Sequence, residues 1–196
     1  MVSSSYQGEE KCFLKGRLSS SILGLANSKS IQLPTDVSST KFTHLDDDLQ
    51  PHMVDVTDKA VTRRTAIAQA IVKLTPEIMS QFDGQDIQSK KGPVFHTAIL
   101  AGIQAAKKTS ELIPLCHPIP LTKCHVSIRP NQDSEVTITA TAITDAKTGV
   151  EMEALTAASG AALTLYDMCK ALSKAIVISE IKLLEKTGGK SGEYHA

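Results

Sequence analysis

The chain of 196 residues is 41% hydrophobic and 21% charged, which fits one globular domain with an additional segment. Its 21 Lys and Arg residues balance 21 Asp and Glu residues, so no net charge favours nucleic acid or an anionic membrane as a partner. Because the sequence has no run of about 18 apolar residues, no membrane-spanning helix is expected either. Any anion site must therefore be a local cluster of Lys and Arg.

Residues 1–51 differ in composition from the rest of the chain. They contain two SSS runs, scattered Gly and Pro, and the acidic stretch LDDDLQP. We predict that they form a disordered linker or a targeting extension, and that residues 52–196 form the functional domain. Four cysteines in a chain of this length indicate free thiols in a reducing compartment, either the cytoplasm or the mitochondrial matrix.

The first ordered segments combine one ambiguous element with two clearer ones. Residues 65–74 (TAIAQAIVKL) fit a strand or a helix by their apolar pattern. Thr75 and Pro76 predict the cap and first residue of a short helix, and residues 83–90 predict a loop. Apolar residues at helical spacing predict a longer helix over 93–113.

The second half of the chain alternates between strand and helix patterns. Residues 122–130 and 134–143 have period-two patterns around a turn, which predicts a β-hairpin. A long helix over 150–173 and a strand over 176–184 follow. If the ambiguous first segment is a strand, the order is that of a ferredoxin-like split βαβ fold: an α+β domain with an antiparallel sheet and helices on one face.

Two acid-containing pairs stand out in the long helix. Thr148 and Glu151 have the spacing of a capping box, so Glu151 has a structural and a functional interpretation. Asp167 and Lys170 lie three residues apart and share one helix face, which is typical of a surface ion pair. The apolar neighbours of this pair favour partial burial with altered pKa values, as acid–base catalysis requires.

A proline-rich segment, ELIPLCHPIPL, holds the adjacent residues Cys116 and His117. An extended chain would direct these two side chains to opposite sides. A second pair, Cys124 and His125, raises the possibility of a zinc site. Because Cys124 and His125 alternate within a predicted strand, the sequence favours no metal.

The segment KTGGKSG (186–192) resembles the end of a phosphate-binding P-loop but lacks that motif's first glycine, because Leu184 stands there. Its glycines and its two lysines predict a lid that closes over phosphates. The alternative interpretation is a frayed polar chain end.

Four long segments follow one another along the chain: HMVDVTDKAVTRR, AGIQAAKKTSELIPLCHPIPL, KTGVEMEALTAASGAALTLYDMCKAL and LLEKTGGKSG. Together they resemble the MoaC-type cyclic pyranopterin monophosphate synthases of molybdenum cofactor biosynthesis, and the similarity extends from residue 52 to about residue 193. The resemblance implies a ferredoxin-like subunit in a hexamer, a trimer of dimers with its active sites at the dimer interfaces. It implies rearrangement of 3′,8-cyclo-7,8-dihydroguanosine 5′-triphosphate to cyclic pyranopterin monophosphate with release of diphosphate, and no cofactor is expected.

The same resemblance suggests roles for individual residues. It implies that Asp167, Lys170 and Lys91 are catalytic. It implies that substrate is contacted by Cys116, His117, Met152 and Glu153. The triphosphate needs converging cations, for which the sequence offers further candidates in Lys59, Arg64, Lys186 and Lys190. Without Trp, the chain is poorly equipped to stack a base, so Met152 and Glu153 fit base recognition instead.

Departures from the family pattern cluster after Lys91. Pro93 stands where an acidic residue is common, His96 where a small residue is common, and Ile99 where a polar or basic residue often occurs. These departures bear on the local conformation and the rate rather than on the class of reaction.

Two other functions fit a ferredoxin-like domain. An RNA-recognition module needs exposed aromatic residues on its strands, which CHVSIR and TITATAI lack. A non-catalytic nucleotide-binding regulator would keep the phosphate-binding lysines and lose the acid–base residues. Since Asp167, Lys170 and Lys91 are all present, the sequence favours an enzyme.

Overall fold

A computed structural model describes residues 44–46, 48–190 and 192–196. Most of the predicted extension over residues 1–51 lies outside these residues, so its role stays a prediction. In chain order the elements are β1 (Thr62–Lys73), α1 (Pro76–Met79), β2 (Gln88–Ser89), β3 (Gly92–Pro93), α2 (Val94–Ala106), α3 (Thr109–Leu112), β4 (Lys123–Pro130), β5 (Glu135–Ala146), α4 (Glu151–Cys169), β6 (Val177–Thr187) and β7 (Tyr194–His195).

The central strand β1 settles the ambiguity of the first segment. Ala66, Ala68, Ala70 and Val72 are fully buried on one face, and the residues between them are partly exposed. This alternation has the period of two that a strand requires. The same face of β5 buries Val136, Ile138, Ala140 and Ala142, so both strands contribute to one apolar layer.

The five-stranded sheet has the order β4-β5-β1-β6-β7, and every neighbouring pair is antiparallel. β5 separates β1 from β4, and β1 separates β5 from β6, as in two interleaved split βαβ units. The predicted ferredoxin-like α+β fold is confirmed. The two remaining strands, β2 and β3, pair with each other in a short ribbon outside this sheet.

The helices α2 and α4 pack against each other and over the buried face of the sheet. Their contact uses very small residues: a Cβ atom added to Gly102 would lie 2.8 Å from the carbonyl oxygen of Ala157, and one added to Gly160 would lie 2.6 Å from the Cβ of Ala105. The alanine-rich stretch of α4 thus lets α2 approach closely, as its composition predicts.

Several helix boundaries differ from the predicted ones. The helix predicted over 93–113 is divided into α2 and α3, because the buried Thr109 hydroxyl donates to the carbonyl of Ala106 (2.9 Å) where the first helix ends. The long helix ends at Cys169 rather than at residue 173. No helix among the described residues is long and apolar enough to cross a membrane.

The segment that follows the sheet's last long strand is more ordered than a frayed chain end. Lys186 and Thr187 belong to β6, and β7 pairs with β6 through Glu185–His195 and Lys186–Tyr194. The glycines that follow Thr187 therefore lie in a connection between two paired strands. Whether this connection acts as a lid stays a prediction.

Candidate functional site

A groove of about 430 Å³ opens between the start of β1, the β5–α4 connection and the β6–β7 connection. Among the described residues that line it, one is acidic, Glu151, and four are basic: Lys59, Arg64, Lys147 and Lys190. Such an excess of positive charge in a concave site favours a polyanion. We call this site the cationic groove.

Arg64 is held in place by the main chain at the end of β5. Its Nε donates to the carbonyl of Ala146 (3.0 Å), and its Nη2 donates to the carbonyl of Lys147 (3.1 Å). Its Nη1 lies against the position that a side chain on Gly189 would occupy. The guanidinium is thus fixed before any ligand arrives, which reduces the entropy cost of binding an anion.

Lys147 is a residue of the groove that the sequence analysis missed. It follows β5 directly, and its ammonium donates to the carbonyl of Thr57 (2.6 Å), so it ties the segment before β1 to the groove. Its position between a strand end and the N-terminus of α4 was the available signal, since anion sites favour such connections.

Lys186 and Glu151 form an ion pair of 3.2 Å at the edge of the groove. The predicted capping box is not formed, because the residue that caps α4 is Val150 rather than Thr148. Glu151 instead places its carboxylate over Gly149, where even a Cβ atom would collide with it. Glu151 therefore balances the charge of the groove rather than capping the helix.

Gly188 and Gly189 allow the β6–β7 connection to lie directly on β1. Their φ angles are +90° and +82°, and a side chain on Gly188 would collide with the carbonyl oxygen of Arg63. Arg63 is paired with Asp145 across the sheet, so its backbone has little freedom to retreat. Glycine is required here for both conformation and space.

We expect Gly188→Ala to destabilise the protein more than Gly84→Ala does, although both glycines have positive φ. Gly84 (φ +97°) has open space around it, so Gly84→Ala should lose only the roughly 1–2 kcal/mol of stability that a positive φ costs alanine. In Gly188→Ala the new side chain also collides with the backbone of Arg63. Urea unfolding measures this difference, and calorimetric titration with diphosphate should show weaker binding for Gly188→Ala alone. Equal losses of stability and unchanged binding would contradict this account of the groove.

A second cavity of about 300 Å³ adjoins the cationic groove and shares Lys59, Thr148, Gly149 and Glu151 with it. Its lining includes the predicted substrate contacts Cys116, His117, Met152 and Glu153. We call this cavity the carboxyl pocket, because the side chain of Glu153 lies in it. The structure thus brings together seven of the predicted site residues in the groove and the pocket, with Arg64 and Lys190 on the groove side.

Cys116 and His117 both line the carboxyl pocket, and the direction of their side chains stays a prediction. The chain before them is a turn rather than an extended strand, closed by a hydrogen bond from the Cys116 amide to the carbonyl of Ile113 (3.1 Å). Among the described residues, no group of three or more His, Cys, Asp or Glu side chains could hold a metal ion.

Burial controls the titration of the groups in this pocket. Glu153 is 4% exposed, and burial, with a further contribution from the negative charge of Glu151, raises its pKa from the ordinary 4.5 to about 7. Burial and then the charge of Glu153 also raise the pKa of the Cys116 thiol. At neutral pH Glu153 can therefore exchange a proton, whereas Cys116 remains a thiol and not a nucleophilic thiolate.

The raised pKa of Glu153 predicts a pH-dependent loss of stability. The folded protein keeps this proton up to about pH 7 and the unfolded chain releases it near pH 4.5, so stability falls as the pH rises between these values. Glutamine does not titrate, so the free energy of unfolding of Glu153→Gln should not fall in this range. Relative to the wild type, we expect it to increase by up to about 3 kcal/mol between pH 5 and pH 8. Urea unfolding at both pH values measures it. The control Glu111→Gln removes an exposed, paired carboxylate outside the pocket and should show no such gain.

A third cluster joins the β2–β3 ribbon to the end of α4. The ammonium of Lys91 lies 2.8 Å from one carboxylate oxygen of Asp167 and donates to the Asp167 carbonyl (3.0 Å). The ammonium of Lys170 lies 2.7 Å from the other carboxylate oxygen. All three predicted catalytic residues therefore meet at one carboxylate, and we call them the catalytic cluster after that prediction.

The catalytic cluster is exposed rather than partly buried, so that part of the prediction is wrong. The Asp167 and Lys170 side chains are 53% and 50% exposed. Altered pKa values are nevertheless present, because hydrogen bonds from Lys170 first and Lys91 second lower the pKa of Asp167 to about 2. The same contact with Asp167 raises the pKa of Lys170. Direct hydrogen bonds, not desolvation, set these values.

Within one chain, the catalytic cluster and the carboxyl pocket lie at opposite ends of α4. Glu151 begins this helix and Asp167 belongs to its last turn. With about 1.5 Å of rise per residue, the two positions are about 24 Å apart along the axis. A single small substrate cannot touch both ends in one subunit.

The fold and these cavities define a ferredoxin-like α+β protein with a cationic groove that leads into a pocket with a titratable acid. The sequence model of the MoaC family matches residues 53–189, more than half of the chain, and the chain belongs to this family. Membership confirms the resemblance found in the four sequence segments. It implies an enzyme of molybdenum cofactor biosynthesis that acts on a small molecule and assembles as an oligomer.

Proposed function

We propose that the protein is a lyase that converts 3′,8-cyclo-7,8-dihydroguanosine 5′-triphosphate into cyclic pyranopterin monophosphate and releases diphosphate. The observation that carries this proposal is the continuity of the cationic groove with the carboxyl pocket through Lys59, Gly149 and Glu151. A polyphosphate and a nitrogen heterocycle joined by a sugar need two such compartments side by side.

The triphosphate occupies the cationic groove. Arg64 presents a fixed guanidinium, and the ammonium groups of Lys59, Lys147 and Lys190 surround the remaining oxygens. To form the cyclic phosphate, a sugar hydroxyl attacks the α-phosphorus while diphosphate departs. The cations stabilise the negative charge that develops on the departing group.

The heterocycle occupies the carboxyl pocket. The ionised form of Glu153 accepts hydrogen bonds from a guanine-type N–H edge, and its neutral form donates a proton to a ring nitrogen. With a pKa of about 7, both forms are populated at neutral pH. Met152 supplies the apolar wall, and the neutral Cys116 thiol lies beside it.

The proton transfers of ring opening and closure need the catalytic cluster as well. Because Asp167 has a pKa of about 2, it stays ionised, and its role is to hold the two lysines at one point. Lys91 and Lys170 then supply protons or stabilise the oxygen anion.

Since the two ends of α4 are far apart, we propose that the cluster of one subunit completes the groove and pocket of another. Each active site then lies at a dimer interface, in a hexamer built as a trimer of dimers. This arrangement supplies both the phosphate-binding cations and the catalytic lysines to one substrate molecule.

The direct test is product formation by the full chain from the cyclic nucleotide triphosphate. Liquid chromatography with mass detection should show the pterin product and diphosphate in equal amounts. A protein that binds the nucleotide and returns it unchanged is a regulator, and this outcome would reject the lyase. Binding to single-stranded RNA with no nucleotide chemistry would favour the recognition module.

A further inference from the structure

Asp86 is a charged residue with 2% exposure that lies outside the groove, the pocket and the catalytic cluster. One of its carboxylate oxygens accepts the amides of Ile87 and Phe95, both at 2.7 Å. The other accepts the amide of His96 (3.1 Å) and lies 2.6 Å from His96 Nδ1. A buried carboxylate with this many donors is held in a single orientation.

The amides of Phe95 and His96 are the second and third of α2, the pair that a helix N-cap side chain normally satisfies. The residue at the N-cap position is Pro93, which offers no side-chain acceptor. Its φ of −69° and ψ of 125° nevertheless suit a cap. Asp86, seven residues earlier, thus supplies the cap that position 93 does not.

Asp86 also closes the base of the β2–β3 ribbon. The carboxylate of Asp86 contacts α2. The next residue, Ile87, adds a backbone contact, because its carbonyl accepts the amide of Val94 (3.0 Å). The ribbon itself pairs Gln88 with Pro93 and Ser89 with Gly92. A ladder this short does not set its own direction, so its orientation relative to α2 depends on the contacts at its base.

Lys91 lies at the tip of this ribbon. The Ser89 hydroxyl accepts the Lys91 amide (3.1 Å) and donates to the Gly92 carbonyl (2.9 Å), which fixes the turn around the lysine. From this tip the ammonium of Lys91 reaches Asp167 in α4. Hydrogen bonds and the short backbone segments between them therefore connect α2 through Asp86 and the ribbon to the catalytic cluster.

We propose that Asp86 is a positioning residue for Lys91: by capping α2 from the ribbon side, it orients the ribbon so that the ammonium of Lys91 meets Asp167. The inference rests on the proposed function for the catalytic role of Lys91, but not for the geometry. His96 supports the carboxylate from its exposed side, with 74% of its own side chain accessible. Asp86, held by His96, thus replaces the N-cap side chain that Pro93 lacks.

The test separates helix capping from positioning by adding the missing cap back. Asp86→Ala removes both functions, and Pro93→Ser in that background supplies a new N-cap hydroxyl to the same two amides. We expect the double variant to regain most of the lost melting temperature. We expect its kcat to remain roughly tenfold to a hundredfold below that of the wild type, with little change in KM, because a misplaced catalytic group slows the chemical step. Pro93→Ser alone should behave like the wild type.

A second measurement does not depend on activity. Carbon NMR of the Asp167 carboxyl group reports the Lys91 contact, because Lys91 helps to lower the pKa of Asp167. In the double variant we expect this pKa to rise to the value found in Lys91→Ala. If Asp86→Ala does not fold, Asp86→Asn replaces it, since the amide keeps one acceptor oxygen and loses the other.

The outcomes are distinct. Recovery of both melting temperature and kcat by Pro93→Ser would show that Asp86 only caps the helix, and would overturn the proposal. An unchanged Asp167 pKa in the double variant would overturn it as well. An inactive wild type with a raised Asp167 pKa in the double variant would reject the lyase function and still support the positioning role.

Discussion

Lys91→Ala and Asp167→Asn should each lower turnover by about 10² or more, the lower end for a lost acid–base group, while the melting temperature changes little. The activity loss follows because Asp167 holds Lys91 and Lys170 at 2.8 Å and 2.7 Å from its two oxygens. Stability is spared because these side chains are about half exposed, and exposed ion pairs contribute little to folding. Turnover and thermal melting of each purified variant measure the two effects.

The matched control is Glu111→Gln. Lys108 and Glu111 form another ion pair with the same spacing of three residues and the same 2.7 Å distance, and both side chains are exposed. This pair lies outside the proposed site, so its loss should leave turnover unchanged. Near-normal turnover in Lys91→Ala or Asp167→Asn would remove the catalytic assignment.

Mixing two inactive variants should restore activity if each site is shared between subunits. One variant carries Lys59→Ala and Arg64→Ala, which damages the cationic groove, and the other carries Asp167→Asn, which damages the cluster. In a hybrid dimer, one site combines the altered groove with the altered cluster. The other site combines the intact groove of one subunit with the intact cluster of its partner. Random exchange of subunits at equal amounts should therefore give about a quarter of wild-type activity.

The subunits must be unfolded and refolded together so that hybrids form, and native mass spectrometry should confirm their presence. The control mixes Asp167→Asn with Lys91→Ala, since both changes lie in the same cluster and hybrids gain no intact site. If demonstrated hybrids of the first pair remain inactive, each site is built from one chain, and the distance along α4 must be closed in another way.

Much of the fold could be predicted because its patterns are local. The alternation in β5, the turn before it and the apolar residues of α4 each reflect neighbours in sequence. The ambiguity of β1 was resolved only by its partners, because its buried alanines would suit a helix equally well. The division between α2 and α3 coincides with a hydrogen bond from the Thr109 hydroxyl to the carbonyl of Ala106, a contact that no periodicity reveals.

Several predicted site residues line the groove and the pocket, but the geometry of the candidate site could not be predicted. The turn that precedes Cys116 and His117 depends on a hydrogen bond to the carbonyl of Ile113, which the proline pattern alone does not predict. Lys147 was missed because its contribution depends on where β5 ends. The contacts of Asp86 span up to ten residues and involve side-chain direction, which spacing alone does not encode.

The glycine and alanine contacts between α2 and α4 have a consequence for how this protein tolerates change. Gly102 and Gly160 lie where the two helices touch, with no room for a Cβ atom at either position, and α2 in turn contacts the ribbon that carries Lys91. One extra methyl group at either glycine would push α2 away from α4, and the ribbon at the N-terminus of α2 would shift with it. The contact between α2 and α4 should therefore tolerate substitutions least. Variants at these glycines that still fold would lose catalysis, although neither glycine is a proposed substrate-binding residue.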